Sequence, residues 1–359
     1  MTRARVARAV AAALAVGCAA ASACRQADAA KGGKLDTAEL AKREARLDSA
    51  LGVVAGRGGI DTSGELDATL ASDTSSTRPA TDPAKSDSAK SNDPDQGKGK
   101  RDRNADTAGS TGFGGAIARW VLPRDLDEIS GIALTSDGRL LAHGDERGQI
   151  SEIDYRRGVI VKQFVVGAPT LRADLEGITV VHGTVFVATS KGVLYEFREG
   201  ANGTRVDYIT QDTRLAKECE FEGLAYDPAI NSLLLACKTI ENKGARDRMR
   251  IFRWKLEGGG ERLSRLDVPL SKILPSIGEK EFHPADITVD PKTGNYLIVA
   301  SIEEALVEIT PAGDVVFARK LTGEHNQPEA IAITKDNILI IGDEAGRRPA
   351  AITLYPWPR

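Results

Sequence analysis

Two regimes of apolar patterning divide this chain. From Ser72 to Gly112 the apolar residues follow no period at all, and Ala, Asp, Ser, Thr, Lys and Gly dominate. From Gly114 onward short apolar runs alternate with turn sequences such as Ser136-Asp-Gly138, Asp227-Pro228 and Asp290-Pro-Lys-Thr-Gly294. Short runs punctuated in this way predict strands joined by turns. One island in the earlier regime predicts a helix. Asp36, with Glu39 three residues on, forms a capping signal, and Leu40, Leu47, Leu51 and Val54 then fall on one face. A short isolated helix barely holds in water, so a marginal helix near 36–54 is expected, with a coiled-coil contact as the alternative.

Within the strand-rich region one phrase recurs five times. It reads Glu128-Ile-Ser-Gly-Ile132, Asp174-Leu-Glu-Gly-Ile178, Glu220-Phe-Glu-Gly-Leu224, His283-Pro-Ala-Asp-Ile287 and Gln327-Pro-Glu-Ala-Ile331. Measured at the fourth position, the spacings are 131→177 (46), 177→223 (46), 223→286 (63) and 286→330 (44). Insertions around Glu241–Arg248 and Leu270–Glu281 account for the long third unit. Each unit reads as three or four strands; in the first they cover about 129–134, 139–144, 149–154 and 158–165. Repeats of this length and strand content predict a β-propeller. The fifth unit is one strand short, and Ala116–Leu122, ahead of the first repeat, is a spare strand that completes it and closes the ring. The expected fold is therefore all-β: a five-bladed propeller over 113–359, closed by an N-terminal strand and preceded by a disordered, low-complexity linker over 25–112.

The start of the chain changes the picture of where this domain works. Arg3, Arg5 and Arg8 precede a short apolar run, Val10 to Val16, too short to span a bilayer. Residues 1–24 thus read as an export signal. Ala21-Ser-Ala-Cys24 and Ala15-Val-Gly-Cys18 both resemble lipoprotein processing sites, and Cys24 leaves the more usual apolar length. Simple cleavage without a lipid is the alternative. The expectation is an envelope protein, membrane-anchored by lipid at Cys24 (or Cys18) and facing the periplasm or cell surface. In that oxidising setting Cys219 and Cys237, which flank one predicted hairpin, form either a disulfide or two small buried thiols.

Bulk charge adds little. The net charge is -3 and aromatics make up 5% of the 359 residues, which gives no case for nucleic acid.

The order Ser130-Gly-Ile, Glu176-Gly-Ile, Glu222-Gly-Leu-Ala-Tyr-Asp-Pro, Pro284-Ala-Asp-Ile and Pro328-Glu-Ala-Ile-Ala resembles the SdiA-regulated β-propeller family of bacterial envelope proteins. The resemblance covers roughly 114–359. It implies an NHL-like, five-bladed fold with a bound calcium ion, and it implies no established activity. Asp286 departs from the pattern, since a Gly is usual there, so blade four's contribution is in question. More distant kin include metal-dependent lactonases and phytase-like phosphoesterases.

In a propeller the first strands of all blades line the central channel, so the phrases meet at one mouth. Their third positions are Ser130, Glu176, Glu222, Ala285 and Glu329. Three carboxylates in a confined mouth repel one another unless a cation lies between them, and calcium accepts oxygen ligands in flexible geometry. Glu176, Glu222 and Glu329 are the leading metal candidates, with the first-position acids Glu128, Asp174 and Glu220 as an outer set. Structural salt bridges or backbone hydrogen bonds are the bland alternative for the first group, and solvated loop acids for the second. Asp145-Glu146, Glu303-Glu304 and Asp343-Glu344 return to the same mouth, and Lys191, Lys238, Arg347 and Arg348 follow second strands and read either as mouth cations suited to a phosphate or carboxylate ligand or as exposed or ion-paired loop residues. No zinc-type His or Cys set, Ser-His-Asp order, nucleophile elbow or phosphate loop is present, and His143 and His325 have no evident partner.

Two functions fit this chain. One is a monomeric binding module that holds a small-molecule or protein ligand at a calcium-bearing mouth. The other is a metal-dependent hydrolase of an ester, lactone or phosphoester, with Glu128, Asp174 or Glu220 as base.

Overall fold

The computed structural model describes residues 37–57, 115–257 and 261–357, with side chains of 50–57 left aside. The expected export signal, both candidate lipidation cysteines, Asp36 and most of the 25–112 stretch lie outside the described residues. Among the described residues, no helix is long and apolar enough to cross a membrane.

The strands form five antiparallel sheets that follow the five repeats. Blade one holds β2 (Ile129–Leu134), β3 (Leu140–Gly144), β4 (Gln149–Asp154) and β5 (Val159–Val166). Blade two holds β6 (Leu175–Val181), β7 (Thr184–Thr189), β8 (Val193–Arg198) and β10 (Tyr208–Asp212). The two-residue β9 (Arg205–Val206) joins blade one instead, running parallel to β5. Blade three is β11 (Cys219–Asp227), β12 (Ser232–Ile240), β13 (Arg248–Lys255) and β14 (Leu263–Pro269). Blade four is β15 (Pro284–Val289), β16 (Tyr296–Ala300), β17 (Ala305–Ile309) and β18 (Val315–Lys320). Blade five is β19 (Pro328–Ile333), β20 (Ile338–Asp343) and β21 (Ala351–Pro356), with β1 (Ala118–Val121) paired antiparallel along β21. Of the two insertions in the third unit, one is a 3-10 turn at Lys243–Ala245. The other is a 3-10 turn at Leu270–Lys272 followed by the one-turn helix α2 (Leu274–Ile277). Helix α1 spans Thr37–Arg57.

The core is divided between the blades. Each blade buries one face against the next, giving five apolar clusters, one at every junction. Phe221 and Phe186 pack at the junction of blades two and three, for example, and Ile331 and Val299 at that of four and five. The cluster holding Ile129, Leu140, Ile340 and Ile352 joins blade five to blade one, so the ring is continuous. Inner strands approach closely enough to need glycine. A Cβ on Gly177 would lie 2.5 Å from the Leu224 nitrogen, and one on Gly223 would lie 2.8 Å from the Asp286 Cα. The glycine of the phrase is therefore a packing requirement between neighbouring blades. Blade three is also cross-linked: Cys219 and Cys237 form a disulfide, with Cα atoms 5.5 Å apart.

Candidate functional site

The recurring phrase folds the same way in every blade. Pairing between first and second strand slips by one residue at Ile129/Gly131, Leu175/Gly177, Phe221/Gly223, Pro284/Asp286 and Pro328/Ala330. The third position of each phrase is thus the extra residue of a β-bulge: Ser130, Glu176, Glu222, Ala285 and Glu329. A bulge bends its strand and re-aims the side chain it carries. The same position is bulged in all five blades; Ala285, the fourth, packs into the apolar cluster of blades four and five.

The bulge residues of blades one, two and three touch in sequence. The Ser130 hydroxyl lies 3.1 Å from the Leu175 carbonyl oxygen and 3.3 Å from Glu176 Oε2. The Glu176 and Glu222 carboxyls are hydrogen-bonded to each other. Lys238 Nζ donates to Glu222 Oε1 at 2.6 Å, and Glu222 is only 6% exposed. Glu329 is hydrogen-bonded to Ser301.

Electrostatics follow from this crowding. Burial, then the neighbouring Glu222, pushes Glu176 up to about 9. Burial also raises Glu222, against the pull of Lys238. The neighbour reinforces the rise of Glu176, whereas the rise of Glu222 is opposed by its other partner, the Lys238 ammonium. Burial raises Glu329 as well. Glu344, at the end of β20, is pushed up to about 7, first by burial and then by the charges of Glu329, Asp145, Glu128 and Glu222. Asp145 and burial raise Glu128, and burial with Glu146 raises Asp145, which leaves two carboxyls sharing a hydrogen bond. Asp145 Oδ1 is buried without a hydrogen-bond partner.

Other mouth acids have structural partners. Asp174 accepts from the Ser190 hydroxyl. Glu303 accepts the His283 backbone N–H at 3.0 Å and lies 2.8 Å from its Nδ1. Asp343 lies 3.0 Å from His325 Nδ1 and accepts the Asn326 N–H at 3.1 Å, while His325 Nε2 meets the Tyr355 hydroxyl at 2.7 Å. His325 is therefore not a partnerless loop residue, because the fold brings β20 and β21 to either side of it. His143 is fully buried and pushed down to about 4 by burial, and its Nδ1 faces the Gly144 carbonyl at 3.0 Å.

The six candidate ligands divide accordingly. Glu176 and Glu222 meet, and Glu329 acts on Glu222 through its charge. Glu128 pairs with Asp145, Asp174 is exposed and tied to Ser190, and Glu220 acts on Lys238 through its charge. Among the described residues, no three His, Cys, Asp or Glu side chains form a preassembled metal-binding group. The expected cation position beside Glu222 instead holds an ammonium. Lys238, read from sequence either as a mouth cation or as an exposed or ion-paired loop residue, is a member of the site. Lys191 and Arg347 are exposed, and Arg348 pairs with Glu324. Glu344 and Ser301 went unread as individual site residues. Glu344 was read only as one of the second-strand acids returning to the mouth.

Residues 272–355 match the SdiA-regulated family. The SdiA-regulated stretch takes in α2, all of blade four and most of blade five. No curated protein gives a significant match. Among solved structures, the chain is similar to the glutaminyl cyclase of Myxococcus xanthus, at 13% identity and a TM-score of 0.45, covering 67% of this chain and 94% of that one. It is also similar to the PQQ-bound aldose sugar dehydrogenase of Streptomyces coelicolor, at 13% identity and a TM-score of 0.42, covering 66% and 98%. A third similarity is to virginiamycin B lyase of Staphylococcus aureus, at 15% identity and a TM-score of 0.36, covering 67% and 74%.

Proposed function

We propose that this protein is an exported, lipid-anchored propeller that binds a ligand or partner at its acidic mouth, with calcium as the ion held there. One observation carries the reading. One phrase position forms a bulge in every blade, and the three acids at that position are all raised by burial. A cation bound among such carboxyls would displace their protons and relieve their mutual repulsion. The donor chemistry suits a hard cation: carboxylate oxygens from Glu176, Glu222 and Glu329, with the Ser130 hydroxyl beside them. When bound, the ion would supply positive charge against which a ligand's oxygens can rest. Lys238 would then give up Glu222 and remain as a second cationic contact.

The basic start, the apolar run and the cysteines at 18 and 24 support export and anchoring. The Cys219–Cys237 disulfide supports an oxidising compartment. Pairing of Ala118–Val121 along β21 supports the N-terminal strand as the clasp of the ring.

A second reading, hydrolysis of an ester, lactone or phosphoester, is favoured by Glu344. A carboxyl near neutrality can both take and return a proton at working pH. The test compares melting of the mature chain with calcium and with chelator, alongside turnover of p-nitrophenyl esters, lactones and phosphoesters. A calcium-dependent rise in melting temperature without turnover supports the binding module. Turnover lost in Glu344→Gln, with folding retained, supports the hydrolase. No melting shift in protein first stripped of metal overturns the calcium site in both forms.

A further inference from the structure

Helix α1 is not a lone helix on a tether. Glu39, Leu40, Arg43, Glu44 and Leu47 are its sheltered positions, spaced as one helical face, and Leu47 is completely buried. It joins the apolar cluster of blades five and one, beside Trp120 and Leu126. The Arg43 guanidinium sits 4.9 Å over the Trp120 ring and donates to the Arg157 carbonyl at 2.9 Å. Glu44 pairs with Arg157 at 2.6 Å, and Asp48 pairs with Arg156.

The surface that receives the helix belongs to two blades. Trp120 lies on β1, which pairs into blade five; Tyr155, Arg156 and Arg157 form the β4–β5 turn of blade one. The two parts also touch each other. The Trp120 indole N–H donates to the Tyr155 carbonyl at 2.8 Å, and a Cβ on Gly158 would overlap the Trp120 ring. β3 reaches the mouth at Gly144, opposite Ile129, and β4 runs back from there, so this turn lies on the face away from the mouth.

We propose that this seam is a docking surface for an amphipathic helix, and that its occupant is residues 37–57 of the same chain, acting as a latch. The chemistry matches in both senses: two arginines and an aromatic face on the propeller meet Glu44, Asp48 and Leu47 on the helix. The 57 residues from 58 to 114 give ample length for docking in cis. Covalent connection then favours the chain's own helix over another copy's. Docked, the latch ties the clasp strand to blade one and leaves the acidic mouth uncovered. Its ion pairs are partly exposed, so salt weakens them. Release would uncover Trp120 and free β1 to fray.

Hydrogen exchange on the mature chain tests the latch. In Glu44→Arg/Asp48→Arg, amides of 117–121 and 155–158 should exchange at least about tenfold faster, as expected for local opening. Adding Arg156→Glu/Arg157→Glu to that variant should restore most of the protection. High salt should speed the same amides in the unaltered protein, which keeps the test open if the variant folds poorly. Unchanged exchange at these amides in both the variant and high salt overturns the latch. Protection that rises with protein concentration, with dimers in sedimentation, assigns the helix to a second copy and overturns docking in cis.

Discussion

The buried carboxylate of Asp286 accepts the backbone N–H of Ile331, in the next blade, at 2.9 Å. Its other oxygen accepts the N–H of Ile287 at 2.8 Å, and the Leu224 N–H of the preceding blade also contributes. Leu224, Ile287 and Ile331 are the fifth residues of three successive phrases. The acid that replaces glycine in the fourth phrase therefore ties three inner strands together, and its carboxylate is spent on backbone donors. Burial raises its pKa well above the usual carboxylate range.

Asp286→Ala should destabilise the propeller by about 3 kcal/mol, since it leaves several buried N–H groups without an acceptor. Asp286→Asn keeps an acceptor oxygen and should lose less than half as much. Urea denaturation midpoints distinguish the two; equal losses would mean that the hydrogen bonds do not carry the effect.

The pH dependence of stability should follow Glu176. Its carboxyl is raised from 4.5 to about 9, so the folded state holds a proton that the unfolded chain releases. This contribution is full below about 4.5 and is lost as pH rises toward 9. In chelator, melting temperature should fall across that window, and Glu176→Gln should flatten the fall. Parallel slopes for the two proteins would place the titration elsewhere.

The strand pattern, the five units and the meeting of phrase acids were legible because a repeat fixes architecture through spacing alone. The first-blade strand expected over 158–165 lies at Val159–Val166. The bulges were not legible, because a bulge is a property of pairing register and the phrase does not state its partner. The partner of Lys238 was not legible for a similar reason: its distance from Glu222 depends on the register of β12 against the bulge. His325 looked partnerless because Asp343 and Tyr355 lie 18 and 30 residues away. Helix α1 was visible in sequence, but its docking was not. Arg43 and Glu44 read as solvent-facing residues until Trp120 and Arg157 are placed beside them.

Lys238→Met should cost about 1–3 kcal/mol in chelator, because Glu222 loses its countercharge while remaining buried. Calcium should raise the melting temperature of this variant more than that of the parent, since the ion no longer competes with an ammonium. A smaller calcium shift in the variant would show Lys238 to be part of the ion's support rather than its stand-in.

Reduction of the disulfide should lower stability by about 3 kcal/mol, as expected for closing a loop of this separation. Melting with and without reductant measures it, with Cys219→Ser/Cys237→Ser matching the reduced parent. Identical curves with and without reductant, after the bond is shown to be cleaved, would contradict the estimate.

Direct calcium titration by calorimetry, into metal-stripped mature protein and its Glu176→Gln and Glu329→Gln variants, tests the central claim most directly. The parent should show one site per chain and proton release that grows as pH falls below the raised Glu176 value, and each variant should bind at least about tenfold more weakly. Binding that is absent in the parent, or equally strong in both variants, would contradict that claim.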